Sequence, residues 1–302
     1  MRRLDNIDLR LLRVFMVLAE AGSFADAQIA LNLSQSTLST HLAALERNLG
    51  ESLCVRGRKG FHLTPFGEAA YAAAKQLFSD IDAFQQRLTP SNGKLSGRLR
   101  IGIVDGVVTS PQLGLQGVIH RFMDRGPAVF IDLELGTPHD LEQSIADGRR
   151  DVVIGPFSQR APGVTYVALH REEQELFCGR GHPLFNKPQA AITNADIEQA
   201  LFSVRGYRHL EDLYRVNHPR ASARVIHMEA QAMLILSGRF IGFLPSHIGE
   251  NWVKTGEMRS IRPSIYRFLS SHYAAFRKRD AQQPLISVFI EDLRAATAAS
   301  AA

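Results

Sequence analysis

Cysteine is scarce in this 302-residue chain, which contains only Cys54 and Cys178. The two lie far apart and form no CxxC or Cys/His spacing, so neither a disulfide framework nor a structural zinc site is expected. No uninterrupted apolar stretch is long enough to span a bilayer. Charged residues from Asp5 to Arg13 interrupt what would be the apolar part of a signal peptide. We therefore expect reduced thiols, no membrane association and a cytoplasmic protein.

The sequence also lacks three common catalytic motifs. It contains no GxxxxGK phosphate loop followed by Ser or Thr, no HExxH pair and no GxSxG elbow. Its eleven histidines do not recur at metal-ligand spacings, and we interpret four of them as surface or packing residues: His170, His182, His209 and His218. We therefore expect no enzyme and no cofactor. Turnover of a bound small molecule would be the observation that revives catalysis.

A strong excess of one charge is missing as well. The net charge is only +5, and residues 1–65 hold eight basic and six acidic side chains. This balance permits a nucleic-acid partner without requiring one. A case for DNA binding must therefore rest on the pattern of residues.

The N-terminal pattern predicts three short helices. Apolar residues recur at helical spacing over residues 7–20, Gly22 ends that helix, and Ser23 and Ser34 are placed to cap the next two. The third helix runs to Leu49, with leucines on one face and small, mostly polar residues on the other: Ser36, Thr40, Ala43 and Arg47. This arrangement is typical of a helix-turn-helix that enters the major groove. The alternative is an ordinary helical bundle with a solvated face.

A basic turn follows directly. Residues 51–65 read as two short strands joined by Arg56–Gly60, which is typical of a wing that places Arg58 and Lys59 on phosphates. A solvated loop is the alternative. Thr64 and Pro65 then open a long helix with an apolar seam suited to pairing with a second copy, or to packing on its own domain.

The remainder changes character after the turn-rich residues 89–97. Short apolar strands alternate with helices, beginning with a strand at 99–104 and a helix expected from Thr109 or Ser110 to Arg125. Similar alternation continues to a closing helix around 285–296. Such alternation favours a parallel α/β sheet.

These features together resemble the LysR-type transcriptional regulators. The resemblance rests on AEAGSF at 19–24, SQSTLS at 34–39, LERNLG at 45–50 and LTPFGE at 63–68, with weaker matches at GRLRIG 97–102, DVVIGP 151–156, GHPL 181–184 and GFLPSHI 242–248. It implies an α+β multidomain protein whose effector domain is built like type 2 periplasmic binding proteins. The implied limits are a winged helix-turn-helix at 1–65, a linker helix at 66–89, a hinge at 90–97 and an effector domain at 98–302. Within the effector domain, lobe one comprises 98–163 and 268–302, and lobe two comprises 164–267.

The resemblance also implies partners. They are double-stranded promoter DNA, a small-molecule effector and further copies of the chain in a homodimer or homotetramer, with RNA polymerase as a candidate. The matching DNA positions are Gln35, Ser36, Ser39 and Thr40 in the helix, with Arg58 and Lys59 in the wing. Members often have proline and arginine where this chain has Ser36 and Thr40, so base preference does not carry over.

Ligands of open α/β sheets bind beyond the carboxyl ends of the strands. This rule and the resemblance select Thr109, Thr137, Ser203 and Arg205 as effector-binding candidates, with Tyr207 available to stack. Free amides at helix N-termini and an arginine favour an anion, so the expected effector is a small organic acid, either aromatic or aliphatic. The two threonines could instead only cap helices, and Arg205 and Arg208 could be solvated or paired with Glu211 and Asp212.

Two other regulatory functions remain open. A thiol-based redox sensor would need an exposed cysteine of low pKa, whereas Cys54 and Cys178 both fall in predicted strands. An architectural DNA-coating protein would not need the large two-lobed remainder.

Overall fold

The computed structural model describes residues 6–57, 60–88, 95–158 and 160–299. The chain divides into two compact units, Met1–Thr89 and Pro90–Ala302. Within these described residues, no helix is both long and apolar enough to cross a membrane.

The N-terminal unit is a three-helix bundle followed by a hairpin and a long helix. Its elements are α1 (Asn6–Ala21), α2 (Phe24–Leu31), α3 (Gln35–Leu49), β1 (Cys54–Gly57), β2 (Gly60–Leu63) and α4 (Pro65–Leu88). The Ser23 and Ser34 hydroxyls accept hydrogen bonds from the amides of Asp26 and Thr37, so both predicted N-caps form. Gly50 ends α3 with φ +87°, a conformation that favours glycine.

Helix α4 is anchored at its start by a close backbone approach. Thr64 accepts a hydrogen bond from the Gly67 amide at 2.9 Å and donates one to the Ser52 carbonyl at 2.7 Å. A Cβ on Gly67 would lie only 1.9 Å from the Leu53 carbonyl oxygen, so glycine is required there. Further along the helix, Ala74 is buried in the unit's own core while Phe84 is 58% exposed. The first part of α4 therefore packs on its own unit, and its far end presents an uncovered aromatic ring.

The C-terminal unit contains a nine-stranded mixed sheet in its described residues. The strands are β3 (Ser96–Ile103), β4 (Ala128–Leu135), β5 (Val152–Gly155), β6 (Val164–Gly179), β7 (Leu201–Arg205), β8 (Ala223–Val225), β9 (Phe240–Pro245), β10 (Met258–Ser260) and β11 (Arg267–Arg277). The helices are α5 (Leu115–Arg125), α6 (Pro138–Ala146), α7 (Asn194–Gln199), α8 (His209–Val216), α9 (Met228–Leu236), α10 (Ser246–Lys254) and α11 (Pro284–Ala299).

The sheet order is β4-β3-β5-β11-β6-β9-β7-β8, with β10 also paired to β6. Strand β3 runs parallel to β4 and β5, and β7 runs parallel to β8 and β9. Between these two parallel groups run β6 and β11, long and antiparallel to each other. Each parallel group has its own apolar core, so the unit consists of two α/β lobes joined by two crossing strands.

One predicted helix start is wrong. The helix expected from Thr109 or Ser110 begins at Leu115, and Val107–Thr109 forms only a short 3-10 turn. Gly114 explains the difference, because its left-handed backbone (φ +52°) interrupts a helix that would otherwise run on from Pro111. No α-helix N-terminus therefore lies at Thr109.

Candidate DNA-binding surface and effector site

Helix α3 separates an apolar face from a polar one. Leu38, Leu42 and Leu45 are buried in the core of the N-terminal unit. On the other side, Gln35, Ser36 and Thr40 are exposed and Ser39 is half-buried. The helix therefore presents short polar side chains and the Gln35 carboxamide to its surroundings.

Hydrogen bonds within α3 fix part of this polar face. The Thr40 hydroxyl donates to the Ser36 carbonyl at 2.9 Å, so its oxygen remains available as an acceptor. The Ser36 hydroxyl lies 2.9 Å from that of Ser34. Arg58 and Lys59 lie outside the described residues, and the strands that flank them pair from Cys54–Leu63 to Gly57–Gly60.

The C-terminal unit contains a cavity of about 510 Å³ between its lobes. Its walls come from the start of α6 and the segment after β5 in lobe one, from residues 207–215 in lobe two, and from β11. The lining residues are Pro138, His139, Glu142, Pro156, Phe157, Ser158, Arg160, Tyr207, Arg208, Glu211, Arg215, Leu269, Ser270, Ser271 and Tyr273. Both lobes and a crossing strand thus contribute to one site.

Three arginines give this cavity its chemistry. Arg208 is paired with Glu211 at 3.0 Å and Asp212 at 3.4 Å. Arg160 lies over the Tyr166 and Tyr273 rings, and Arg215 lies 3.6 Å from the centre of the Phe268 ring. In the part of the chain that the structure describes, no carboxylate lies within ion-pair distance of Arg160 or Arg215. Two cationic groups therefore reach the cavity without an acidic partner.

Glu142, one of the two acidic residues in the lining, accepts a hydrogen bond from a tyrosine. The Tyr166 hydroxyl donates a short hydrogen bond to its carboxylate. Burial and this hydrogen bond raise the pKa of Tyr166 to about 12. Of the two acidic residues in the lining, Glu211 thus pairs with Arg208 and Glu142 accepts from the Tyr166 hydroxyl.

The two predicted threonines lie near the lobe boundary but do not line this cavity. Thr137 caps α6 and accepts a hydrogen bond from the Asp140 amide at 3.2 Å, directly before the lining residue Pro138. Thr109 lies in the 3-10 turn, where its hydroxyl is 2.9 Å from Nδ1 of His247 in the other lobe. Thr109 thus bridges the lobes, and Thr137 shapes one wall indirectly.

The two predicted residues of lobe two are buried and do not line the cavity. Ser203 is fully buried, and its hydroxyl donates to the Ile241 carbonyl at 3.1 Å. Arg205 is 1% exposed, donates to Oε1 of Gln174 at 3.0 Å and lies 3.7 Å from Asp212. Two and three residues further on, Tyr207 and Arg208 reach the lining instead.

A second contact joins the lobes. The carboxylate of Asp105, just after β3, accepts a short hydrogen bond from the Met228 amide at the start of α9. Nδ1 of His227 lies 3.6 Å from the same carboxylate. Asp105 and Thr109 therefore both connect lobe one to lobe two.

Sequence reasoning did not select most of the cavity residues. Arg160 follows β5, Arg215 lies in α8 and Tyr273 lies in β11, so they share no local motif. Tyr207 and Arg208 had a weak signal, since both lie just after a buried strand.

A capped helix-turn-helix with a hairpin, joined to a two-lobed α/β unit with an interlobe cavity, defines a DNA-binding regulator with an effector domain. The family model described as "LysR substrate binding domain" matches residues 92–298. The model described as "Bacterial regulatory helix-turn-helix protein, lysR family" matches residues 9–68. The chain belongs to the LysR family of transcriptional regulators, which confirms the predicted family and fold class.

Individual relatives agree. The HTH-type transcriptional activator BauR of Pseudomonas aeruginosa is 33% identical over 290 residues, covering 96% of this chain and 95% of BauR. The HTH-type transcriptional activator IlvY of Salmonella typhimurium is 27% identical, covering 81% of this chain and 84% of IlvY. Both relatives are transcriptional activators.

Solved structures share the fold at lower identity. The crystal structure of CbnR, a LysR family transcriptional regulator, superposes with a TM-score of 0.68 at 20% identity, covering 96% of this chain and 99% of CbnR. A full-length OxyR variant from Pseudomonas aeruginosa gives a TM-score of 0.62 at 21% identity, covering 97% of this chain and 96% of OxyR.

Proposed function

We propose that this regulator binds promoter DNA through the polar face of α3, and that a small organic acid in the interlobe cavity controls that binding. The observation that carries the proposal is the cavity itself, shared by both lobes and lined by Arg160 and Arg215, which have no ion-pair partner among the described residues. A carboxylate there would gain charge-assisted hydrogen bonds from guanidinium groups. The neighbouring rings of Tyr207 and Tyr273 suit an apolar or aromatic remainder.

On the DNA side, we assign base contacts to Gln35, Ser36, Ser39 and Thr40. Gln35 is exposed at the first turn of α3, where its carboxamide can form two hydrogen bonds with adenine. Arg58 and Lys59 are assigned to phosphates from the sequence alone. Under this proposal, removing a base contact relaxes sequence preference, and removing a phosphate contact weakens binding to all DNA.

The mechanism is a shift between two lobe arrangements. The bonds Thr109–His247 and Asp105–Met228 hold the lobes together in this structure. A ligand that binds one arrangement better shifts the population toward it. Pairing of α4 between copies would transmit the change to DNA held by a homodimer or homotetramer. The exposed ring of Phe84 supports this role of α4, and RNA polymerase remains a proposed partner.

The effector roles of four residues stay predictions: Thr109, Thr137, Ser203 and Arg205. Under this proposal they act by positioning residues of the cavity and not by direct contact with the effector. Thr137 holds the start of α6, and Arg205 supports the segment that carries Tyr207 and Arg208. We keep the proposed limits 1–65, 66–89, 90–97 and 98–302, with lobe one at 98–163 and 268–302 and lobe two at 164–267. The proposed place of action is the cytoplasm, where promoter DNA lies.

Calorimetric titration of the full-length protein tests the ligand class. Small carboxylic acids, aromatic and aliphatic, should bind, and their uncharged amides should not. Arg215→Gln should weaken binding by roughly tenfold or more, because it removes a charge-assisted hydrogen bond. Arg149→Gln, at a surface arginine beside Asp147, is the matched control and should bind normally. Preferential binding of the amides would refute the organic-acid proposal.

Footprinting on the DNA upstream of its own gene, at several salt concentrations, tests the DNA contacts. We expect two phased half-sites protected by the wild type. Gln35→Ala should reduce discrimination against the wrong base by about 1–3 kcal/mol. Thr255→Ala, in lobe two, is the control. Equal and steeply salt-sensitive binding of wild type and Gln35→Ala to any DNA would refute sequence reading by α3 at this promoter.

A further inference from the structure

Three potential metal ligands meet on the two crossing strands. His170 and Glu172 lie on β6, and His272 lies on β11 directly opposite His170 in the strand register. The two imidazole rings stack with centres 4.9 Å apart. One ligand atom from each of the three residues lies within 4.8 Å of the others. None of the three lines the interlobe cavity described above.

His170 has an unmet bonding capacity. Both of its ring nitrogens are buried and have no hydrogen-bond partner among the described residues. A neutral imidazole with an unpartnered nitrogen lone pair is the form that binds metal ions.

His272 offers a second nitrogen lone pair, on Nε2, which faces Glu172. Its Nδ1 lies 3.2 Å from the Ser270 carbonyl, which can only accept, so Nδ1 carries the proton. Its Nε2, 3.7 Å from Oε2 of Glu172, is then an acceptor in the neutral ring. A nitrogen lone pair that faces a carboxylate oxygen is a repulsive contact, and a cation between the two atoms would relieve it.

We propose that His170, Glu172 and His272 bind a divalent transition-metal ion of the zinc type. Zinc–nitrogen and zinc–oxygen bonds of about 2.0–2.2 Å in tetrahedral geometry place ligand atoms about 3.4 Å apart. The present separations, all within 4.8 Å, therefore close when each side chain moves by about 1 Å or less. Two imidazoles and one carboxylate leave a coordination position open for water or a small ligand.

The surrounding residues orient the carboxylate. Nε2 of His247 donates to Oε1 of Glu172 at 3.1 Å, while its Nδ1 lies 2.9 Å from the Thr109 hydroxyl of lobe one. The Gln174 amide donates to Oε2 of Glu172 at 2.6 Å, and its carbonyl accepts from Arg205 at 3.0 Å. The Gln174 side chain thus connects the Glu172 carboxylate to the Arg205 guanidinium. Such outer-shell partners are typical of protein metal sites.

The test uses the untagged full-length chain after removal of metals with a chelator. Cobalt(II) is titrated in while its visible absorption is followed, and zinc(II) is then added as a competitor. Equilibrium dialysis with elemental analysis counts the bound zinc. We expect about one equivalent of either ion per chain, with zinc displacing cobalt.

Glu172→Gln should weaken zinc binding about 100-fold or more, because it replaces an anionic ligand with a neutral amide. Glu173→Gln, at the next residue, which pairs with Arg267 instead, is the matched control and should bind like the wild type. If Glu172→Gln does not fold, His170→Gln serves in its place, since His170 has no hydrogen bond to lose. Wild type that binds no zinc at micromolar free metal, or a folded His170→Gln that binds as well as Glu173→Gln, would overturn the proposal.

Discussion

The stability of the C-terminal unit should depend on the protonation of His170. The pKa of this side chain is 6.5 in its ordinary environment and about 4 in the folded protein, because of burial and repulsion from His272. Protonation therefore favours the unfolded chain. The stabilisation is fully present above about pH 6.5 and is lost as the pH falls toward 4.

These two values set the size of the effect. Between about pH 7 and about pH 5, they correspond to a loss of at most about 2 kcal/mol of unfolding free energy. His170 is only half-buried, and screening by solvent reduces this to about 1 kcal/mol. His170→Gln cannot take up the proton, so it should lose about 1 kcal/mol less than the wild type over the same interval.

Urea unfolding at both pH values, with a chelator present, measures this difference. The chain has one tryptophan, Trp252 in α10, so its fluorescence reports on lobe two of the C-terminal unit. His120→Gln is the control, because the His120 side chain is 79% exposed. Equal losses in the wild type and His170→Gln would refute the reasoning, since another group would then carry the pH dependence.

Three further predictions concern other parts of the molecule. Gly67→Ala drives a Cβ into the Leu53 carbonyl and should destabilise the N-terminal unit by about 2–4 kcal/mol. The loss of DNA binding at raised temperature measures this effect, with Ala72→Ser on the exposed side of the same helix as the control. Asp105→Ala removes the acceptor of the Met228 amide, whose hydrogen exchange should speed up roughly tenfold, and unchanged exchange would contradict the contact. Burial raises the pKa of Cys178 to about 12, so a thiol reagent should label it only after unfolding.

The sequence alone determined the local features of the N-terminal unit. Ser23, Ser34 and Gly50 act on the backbone within one helical turn, so their positions predict the helix ends directly. Helical and strand periodicities depend only on neighbouring residues, and they predicted the elements of the N-terminal unit and about half of those in the C-terminal unit. The family and fold class followed from these patterns. Gly114 is the instructive exception, because this glycine inside the predicted helix adopts a left-handed conformation and the helix starts only at Leu115.

Only the tertiary structure decided which side chains meet. Ser203 and Arg205 looked like wall residues in the sequence, yet strand pairing and α9 bury both. Arg160 and Arg215 reach one cavity from separate elements. His170 and His272 have no shared motif, and the register of β6 against β11 places them face to face. A one-residue change of that register would turn the side chains to opposite faces, so no local pattern can encode the contact.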